Sequence, residues 1–158
     1  MRYLVILALL ILVLAQAVHA QSDEETAVAA VLDDLHEAAS EADGERYFNL
    51  YADNAIFLGT DLTERWTIDA FKTYALARFD QGAGWTYTPQ SRHLYFSPDK
   101  KTAWFDEILH NERFGECRGT GVLVKIDDAW KIAQYHLTVP IPNALLYKVV
   151  DMIREEKQ

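Results

Sequence analysis

TAWFDEILHNERFGECRGTGVLVKIDDAWKIAQYHLTV, residues 102–139, is the stretch from which the architecture of this chain follows. Its alternating apolar and polar residues predict three long consecutive β-strands. Because a strand sends successive side chains to opposite faces of its sheet, one face must carry polar groups beside tryptophan and tyrosine. Polar groups on a buried face are costly unless they are paired, so the stretch indicates a pocket or an interface. The polar interruptions are Asp106, Glu107, His110, Arg118, Gln134 and His136.

Helical periodicity dominates the chain before residue 85. Apolar residues recur at intervals of three and four in the first of these segments, as on one face of a helix. Thr67 is placed to cap the last of them. The pattern predicts helices over residues 24–42, 45–51 and 67–79, with a strand over residues 54–58.

The remainder of the chain is predicted to be a β-meander. A short piece over residues 85–88 and a strand over residues 91–96 precede the long strands, and Asp127-Asp128 makes the last hairpin turn. Pro140 and Pro142 end the sheet before a terminal helix. Helices followed by a meander predict an α+β fold with helices packed on one sheet face. The other face then needs water or a partner.

The first twenty residues have the composition of a secretory signal peptide. Arg2 supplies a positive start, residues 4–15 form an uninterrupted apolar run, and Val18-His19-Ala20 offers a small-residue cleavage site. The run is too short to predict a membrane-spanning helix, and an uncleaved N-terminal anchor is the alternative. We expect cleavage after Ala20, a single mature domain over residues 21–158, and a secreted or periplasmic location.

The charge and cysteine content restrict the partners. The formal net charge is −9. Nucleic acids and anionic membranes favour basic patches, so we expect no nucleic-acid partner and no membrane contact beyond the signal segment. Cys117 is the only cysteine, which leaves no internal disulfide and fits a buried structural position. We expect no cofactor and no metal, because the sequence has no Gly-rich phosphate loop, paired-cysteine site or closely spaced histidine pair.

Three groups of residues carry a resemblance to a known family. Over residues 24–143 the chain resembles the SnoaL-like branch of the nuclear transport factor 2-like superfamily. The resemblance implies a cone-shaped fold with N-terminal helices on a curved antiparallel sheet, and a homodimer formed through the outer sheet face. The groups are Tyr51-Ala52-Asp53-Asn54-Ala55-Ile56-Phe57, Gly59-Thr60-Asp61 with Glu64-Arg65-Trp66, and Arg118-Gly119-Thr120-Gly121-Val122-Leu123 leading to Trp130-Lys131-Ile132 and His136.

The resemblance leaves the chemistry open. Ketosteroid isomerases, dehydratases, polyketide cyclases and many members with no assigned activity share this scaffold. The ketosteroid isomerase arrangement needs a donor tyrosine on the first helix. Residues 24–42 contain no tyrosine, which counts against that activity.

Asp106 and Glu107 compete for one position in the predicted cone. They are adjacent in a strand, so only one of them can point inward, and the two alternations fit the sequence almost equally. A carboxylate in an apolar cavity has a raised pKa and can act as a general acid or base. The alternative is a carboxylate paired with Arg118 on the next strand.

His136 shares one face of an unbroken alternation with Trp130, Ile132 and Gln134. The two large apolar neighbours favour the buried side for that face. A histidine there can transfer protons near neutral pH, so His136 and Asp106 are the candidate catalytic residues. The alternative is a core histidine bonded to Asp106 or to a backbone carbonyl.

Six residues are candidates for the pocket wall. Arg118 could hold a carboxylate-bearing ligand in a bidentate grip, the alternative being a salt bridge to Asp106 or Glu107. Trp66 lies where the mouth of the cone is expected, and it either covers the ligand or caps the core. The candidates are Trp66, His93, Tyr95, Trp104, Arg118 and Gln134.

Three functional hypotheses follow. The leading one is an exported domain that binds a small, partly apolar molecule in its cone. The second is a metal-independent acid–base enzyme acting on a carbonyl compound by isomerisation, dehydration or cyclisation, with Tyr95 or Arg118 stabilising the oxyanion. The third is a dimeric structural or interaction module. The sequence leaves open whether the chain is an enzyme.

Overall fold

The computed structural model describes residues 23–156, in which four α-helices and six β-strands follow one another. The predicted signal peptide lies outside these residues. The helices are α1 (residues 23–40), α2 (Gly44–Asn49), α3 (Ile68–Phe79) and α4 (Leu146–Glu156), the last preceded by the 3-10 turn Asn143–Leu145. The strands are β1 (Tyr51–Leu58), β2 (Arg65–Thr67), β3 (Thr88–Phe96), β4 (Thr102–Asn111), β5 (Gly115–Ile126) and β6 (Ala129–Thr138).

The six strands form one sheet in the order β2-β1-β6-β5-β4-β3. Neighbouring strands are antiparallel except β1 and β6, which run parallel. The sheet is curved and does not close. The predicted α+β architecture is therefore confirmed.

Short-range contacts set several of the element ends. The side chain of Thr67 accepts a hydrogen bond from the Ala70 amide at 3.4 Å, which caps α3 as predicted. Asp43 does the same for α2 through the Arg46 amide at 3.0 Å. Between β5 and β6, Asp127 and Asp128 take positive φ angles of 47° and 63°, as a tight two-residue hairpin turn requires.

Three boundaries differ from the sequence prediction. Tyr51 begins β1 instead of ending α2, because it pairs with Ile132 of β6. Residues 85–87 form no strand, and β3 begins at Thr88. The sequence pattern does not predict β2, since three residues are too few to show an alternation; the strand exists by pairing with the end of β1.

The inner face of the sheet packs against the helices and is the core of the molecule. On β4 the buried residues are Ala103, Phe105, Glu107 and Leu109, and on β5 they are Cys117, Gly119, Gly121 and Leu123. The predicted buried position of Cys117 is confirmed. The alternate residues of both strands lie on the outer face of the sheet, where each of them is half-buried or exposed.

A β-bulge in β6 reverses the orientation of the second half of that strand. Val122 pairs with Gln134, whereas the next residue of β5, Leu123, pairs with Ile132, so one extra residue lies on β6. As a result, Trp130 and Ile132 are buried before the bulge, and Tyr135 and Leu137 after it. One extra residue shifts the strand register by one position, so the residues after the bulge point to the opposite face of the sheet from the one that an unbroken alternation predicts.

The terminal helix α4 contributes no residue to the core. Apolar residues such as Leu146 and Ile153 remain 43% and 46% exposed. Within residues 23–156, the structure contains no helix with the length and apolar character needed to cross a membrane.

Candidate functional site

A cavity of about 290 Å³ lies between the end of β1, the helix α3 and the hairpin that joins β4 to β5. Several of its residues, including Thr60 and Arg113, are exposed, so the cavity opens to solvent. The lining residues are Phe57, Gly59, Thr60, Glu64, Trp66, Phe71, Tyr74, Arg78, Trp85, Tyr87, Arg113, Phe114 and Leu137.

Aromatic rings form most of the wall. Phe57 and Phe71 stack with ring centroids 3.8 Å apart and an interplanar angle of 6°. Trp66 stacks on Tyr74 at 5.5 Å. Stacked rings of this kind present flat, apolar surfaces, so the cavity is suited to a flat or apolar small molecule.

The loop that joins β1 to β2 places an acidic side chain at the cavity. The amide of Gly59 donates to the Glu64 carbonyl at 2.9 Å, and the Glu64 carboxylate accepts from the Asp61 amide at 3.1 Å. A larger residue at position 59 would displace the Glu64 side chain, because an added Cβ would lie 2.9 Å from the Glu64 Cβ. The loop is therefore packed tightly enough to hold the carboxylate at the mouth.

A second void of about 20 Å³ lies deeper in the fold and has room for about one water molecule. It shares four walls with the larger cavity: Phe57, Trp85, Tyr87 and Leu137. Its other walls include His36 from α1 and Tyr135 from β6. Burial raises the pKa of Tyr87 to about 12, so its hydroxyl stays a neutral donor. The inner void therefore lies beside the cavity and is lined by His36 and Tyr135 of the core.

Glu107 of β4 is the centre of that polar core. Its Oε1 accepts the Tyr135 hydroxyl at 2.9 Å and contacts His36 Nε2 at 3.0 Å. Its Oε2 accepts from Arg92 Nε at 2.8 Å. Gly119 makes room for this arrangement, because an added Cβ there would lie 2.5 Å from the Tyr135 hydroxyl and 2.7 Å from Glu107 Oε1. We call these four side chains, Glu107, His36, Arg92 and Tyr135, the Glu107 cluster.

The cluster fixes the ionisation of its members. Glu107 is 1% exposed, and burial alone raises its pKa, but hydrogen bonds and charges from His36 and Arg92 outweigh burial and hold the pKa below its usual value. Burial, reinforced by the charge of Glu107, raises the pKa of Tyr135 well above its usual value. At neutral pH Glu107 is therefore a carboxylate and Tyr135 a neutral hydroxyl donor.

Arg92 connects the cluster to α1. Its Nη1 donates to Asp33 Oδ1 at 2.8 Å and to the Ala29 carbonyl at 3.2 Å. Burial lowers the Arg92 pKa, but Glu107 and Asp33 outweigh it and raise the pKa overall. Its Nη2 is buried without a hydrogen-bond partner among residues 23–156. Arg92 is thus committed to holding Glu107 and α1 together.

His36 lines the inner void together with Tyr135, and its ring contacts the carboxylate of Glu107. An ionised carboxylate only accepts hydrogen bonds, so His36 Nε2 must donate to Glu107. In the neutral imidazole the other nitrogen, Nδ1, then carries the lone pair and can accept a proton. A buried carboxylate that orients a histidine in this way supports general-base chemistry. Among residues 23–156, no group of three or more His, Cys, Asp and Glu side chains is placed to hold a metal ion.

The structure corrects the predicted inward orientation of Asp106. The buried set on β4 contains Glu107, so Asp106 lies on the outer face, away from the cavity. The sequence alternation left both patterns open, and packing of Phe105 and Leu109 under the helices selects the one that turns Glu107 inward.

The inward orientation of His136 is also wrong. The unbroken alternation from Trp130 to His136 is interrupted by the bulge, which turns Tyr135 and Leu137 inward in place of Gln134 and His136. Gln134 is exposed and His136 half-buried on the outer face.

The other predicted pocket residues divide between the two faces. Trp66 lines the cavity. His93, Tyr95, Trp104 and Arg118 are exposed on the outer face, because the inward positions of their strands belong to the alternate residues. The structure therefore does not bring these four together with Trp66.

Sequence reasoning missed His36 and Arg92. His36 lies one helical turn after the buried Leu32, so a polar residue interrupts the apolar stripe of α1 at an inward position. That interruption is the signal that could have identified it. Arg92 lies directly opposite Glu107 in the β3–β4 register, which no sequence pattern reveals before the strand pairing is known.

Comparison with known proteins agrees with the fold. The structure is similar to a nuclear transport factor 2-like protein of unknown function from Pseudomonas putida (11% identity, TM-score 0.65, covering 77% of this chain and 90% of that one). It is also similar to a candidate scytalone dehydratase from Novosphingobium aromaticivorans (15% identity, TM-score 0.66, 78% and 89%). A candidate ketosteroid isomerase from Shewanella frigidimarina gives 21% identity, a TM-score of 0.58, and coverage of 71% and 94%.

At these identities the structural likenesses establish the fold alone. No curated protein matches the chain. The sequence model of the SnoaL-like domain matches residues 28–142, which span α1 to the end of the sheet. That match covers more than half of the chain and includes every strand of the sheet, so the chain belongs to the SnoaL-like family.

Proposed function

We propose that the chain is an exported SnoaL-like domain that binds a small, partly apolar molecule in the cavity between β1, α3 and the β4–β5 hairpin. The observation that carries this proposal is the aromatic-walled cavity of about 290 Å³, which opens to solvent and shares four walls with the inner void that His36 and Tyr135 line. Its volume is close to the lower end, about 300 Å³, of the usual range for small-molecule sites. Its few polar groups among many aromatic ones also match such sites.

A thermal-shift screen of small metabolites tests the binding proposal. Thr60 is exposed and lines the cavity, so Thr60→Trp fills the mouth without disturbing the core. We expect compounds that raise the melting temperature of the wild type to lose this effect in Thr60→Trp. Leu62→Trp, at a position in the same loop that is 96% exposed and outside the cavity, is the matched control and should keep it. A screen with no stabilising compound, or equal shifts in wild type and Thr60→Trp, would contradict the proposal.

Acid–base catalysis on a carbonyl compound is the second candidate function. The position of His36, oriented by buried Glu107 and lining the inner void, favours it. In this proposal a water molecule in the inner void passes a proton to His36 Nδ1 from the carbon next to a carbonyl group in the larger cavity, in an isomerisation, dehydration or cyclisation that needs no metal. His36 thus replaces His136 and Asp106 as the proposed base, because the latter two lie on the outer face.

Exchange of substrate protons with deuterated water, followed by NMR, tests the catalytic candidate. Once a carbonyl compound is found to bind, we expect its α-proton to exchange in the presence of the wild type. His36→Gln should bind the compound but abolish exchange. His93→Gln, on the outer face, should behave as the wild type. Exchange that is unchanged in His36→Gln would reject His36 as the base.

We also propose that two copies associate through the outer sheet face, which is compatible with either function. Tyr95 and Trp104 stack there with centroids 5.9 Å apart, and each is 45% exposed. Ile108, Val122 and Val124 extend this apolar surface across β4 and β5. Exposed apolar residues that adjoin one another and have polar neighbours are typical of interfaces. Light scattering should show a dimer that Trp104→Glu dissociates, and a wild-type monomer at micromolar concentration would refute the association.

A further inference from the structure

Two guanidinium groups lie at the mouth of the cavity. Arg78 belongs to the last turn of α3, and Arg113 to the turn between β4 and β5, so separate elements supply them. Arg113 is held near the cavity by its neighbour Phe114, whose ring centroid is 5.3 Å from the guanidinium carbon. Both arginines are exposed where they line the cavity.

Neither guanidinium has a hydrogen bond or an ion pair to another residue within 23–156. Among the other arginines of residues 23–156, three form ion pairs: Arg46 with Asp34, Glu37 and Glu41, Arg92 with Glu107 and Asp33, and Arg154 with Asp151. Arg65 and Arg118 form none within these residues, but they do not line the cavity. The chain has 24 acidic residues against 15 basic ones, yet none of the acidic side chains neutralises these two. Their donors are therefore available to a ligand.

The charge at the cavity is opposite to the charge of the protein. The charged lining residues are Glu64, Arg78 and Arg113, which sum to +1, while the chain as a whole carries −9. A guanidinium group matches the geometry of a carboxylate and binds it with two parallel hydrogen bonds. The aromatic walls behind the arginines favour an anion that also has a flat apolar part.

We propose that the cavity binds a planar carboxylic acid, with its carboxylate at the mouth against Arg78 and Arg113 and its apolar body on the aromatic walls. This inference rests on the proposed binding function and names its ligand class. The orientation follows from the positions of the charged and apolar groups, because both arginines are exposed whereas Phe57, Phe71 and Leu137 line the less exposed part of the cavity. The apolar end therefore enters first.

Isothermal titration calorimetry on the full mature chain tests the ligand class with matched pairs of probes. The probes are benzoate, cinnamate and 2-naphthoate, each compared with its own primary amide, which keeps the shape and removes the charge. For at least one pair we expect the acid to bind about tenfold more tightly than the amide, as a charge-assisted hydrogen bond provides.

Substitutions at the mouth of the cavity test whether the two arginines cause the preference for the acid over its amide. Arg78→Gln and Arg113→Gln should each weaken binding of that acid about tenfold and leave its amide unchanged. Glu64→Gln keeps an acceptor for the Asp61 amide but removes the negative charge, so it should strengthen binding of the acid. Arg154→Gln, on α4 and outside the cavity, is the matched control and should change neither affinity.

The outcomes separate this inference from the function on which it rests. If the amides bind the wild type as tightly as the acids, the carboxylate assignment is overturned while binding in the cavity stands. Equal loss of acid and amide in the arginine variants also overturns it. If no probe of any pair binds the wild type, the ligand class and the proposed binding of flat molecules both fall. The comparison of each acid with its amide on the wild type tests the ligand class even if a variant fails to fold.

Discussion

Replacing Glu107 with glutamine removes one buried negative charge and almost nothing else. The side chain keeps its length and an amide oxygen, which can still accept from Tyr135 and His36. The new amide nitrogen, however, is a donor facing Arg92 Nε, itself a donor at 2.8 Å in the wild type. The guanidinium of Arg92 then has only Asp33 as a charged partner, and Asp33 is 67% exposed on its side chain.

The expected cost follows from this loss of a buried partner. Removing one member of a buried ion pair typically destabilises a protein by about 3–5 kcal/mol. Because Asp33 and the amide oxygen compensate in part, we expect the lower end, a fall in the free energy of unfolding of about 3 kcal/mol. With a urea dependence of about 1–3 kcal/mol/M, the unfolding midpoint should drop by about 1–3 M.

The effect of Glu107→Gln should depend on pH with a definite sign. The pKa of Glu107 is lowered by folding from its ordinary value of 4.5. A carboxyl with a depressed pKa stabilises the folded state above its unfolded pKa, and this stability is lost as the pH falls through the folded pKa. The stability difference between wild type and Glu107→Gln should therefore be full at neutral pH and shrink below about pH 4.5.

Equilibrium unfolding in urea, followed by tryptophan fluorescence, measures both effects. Asp106→Asn is the matched control, since it makes the same chemical change at the adjacent residue, on the outer face. We expect that control to stay within about 0.5 kcal/mol of the wild type. If Glu107→Gln is as stable as the wild type, or if Asp106→Asn is equally damaging, the assignment of Glu107 as the buried centre of the cluster is refuted.

Three further predictions concern the same fold. Gly119→Ala should lower the free energy of unfolding by about 1–3 kcal/mol, because the new Cβ would lie 2.5 Å from the Tyr135 hydroxyl. Chemical denaturation measures this change, and unchanged stability would contradict the close packing. Tyr135→Phe removes a hydrogen bond to a charged group and should cost about 1.5–3 kcal/mol in thermal unfolding, so a melting temperature equal to the wild type would show that the bond contributes nothing. When the full chain is expressed with its first twenty residues, intact-mass spectrometry of the exported protein should find Gln21 at its N-terminus, and a chain that retains Met1 would reject cleavage after Ala20.

Features that depend on neighbouring residues were accessible from the sequence. The helix over residues 23–40, the cap at Thr67 and the turn at Asp127-Asp128 each arise from contacts a few positions apart. The order of these elements also predicted the α+β class, because helices and a meander of this kind can bury their apolar faces only against one another. The resemblance to the SnoaL-like family agreed with that reading.

The sheet face on which each polar residue lies could not be predicted from contacts between neighbouring residues. Asp106 and Glu107 satisfy the strand alternation equally well, and the helices that pack on β4 select Glu107 as the buried one. The bulge that turns His136 outward exists only because β6 pairs with β5 in a shifted register. Strand pairing and helix packing join distant segments, and no local pattern encodes either.

The composition of the Glu107 cluster shows where local information ends. The sequence shows that the long strands carry polar groups among aromatic ones, and it predicts that the buried polar groups need hydrogen-bond or ionic partners. The sequence does not identify the partners of Glu107, because they lie far from it along the chain. His36 precedes Glu107 by 71 residues and Arg92 precedes it by 15. They meet because α1 crosses the inner face of the sheet and β3 pairs beside β4. Burial then makes their contact obligatory, because a carboxylate removed from water must be paired.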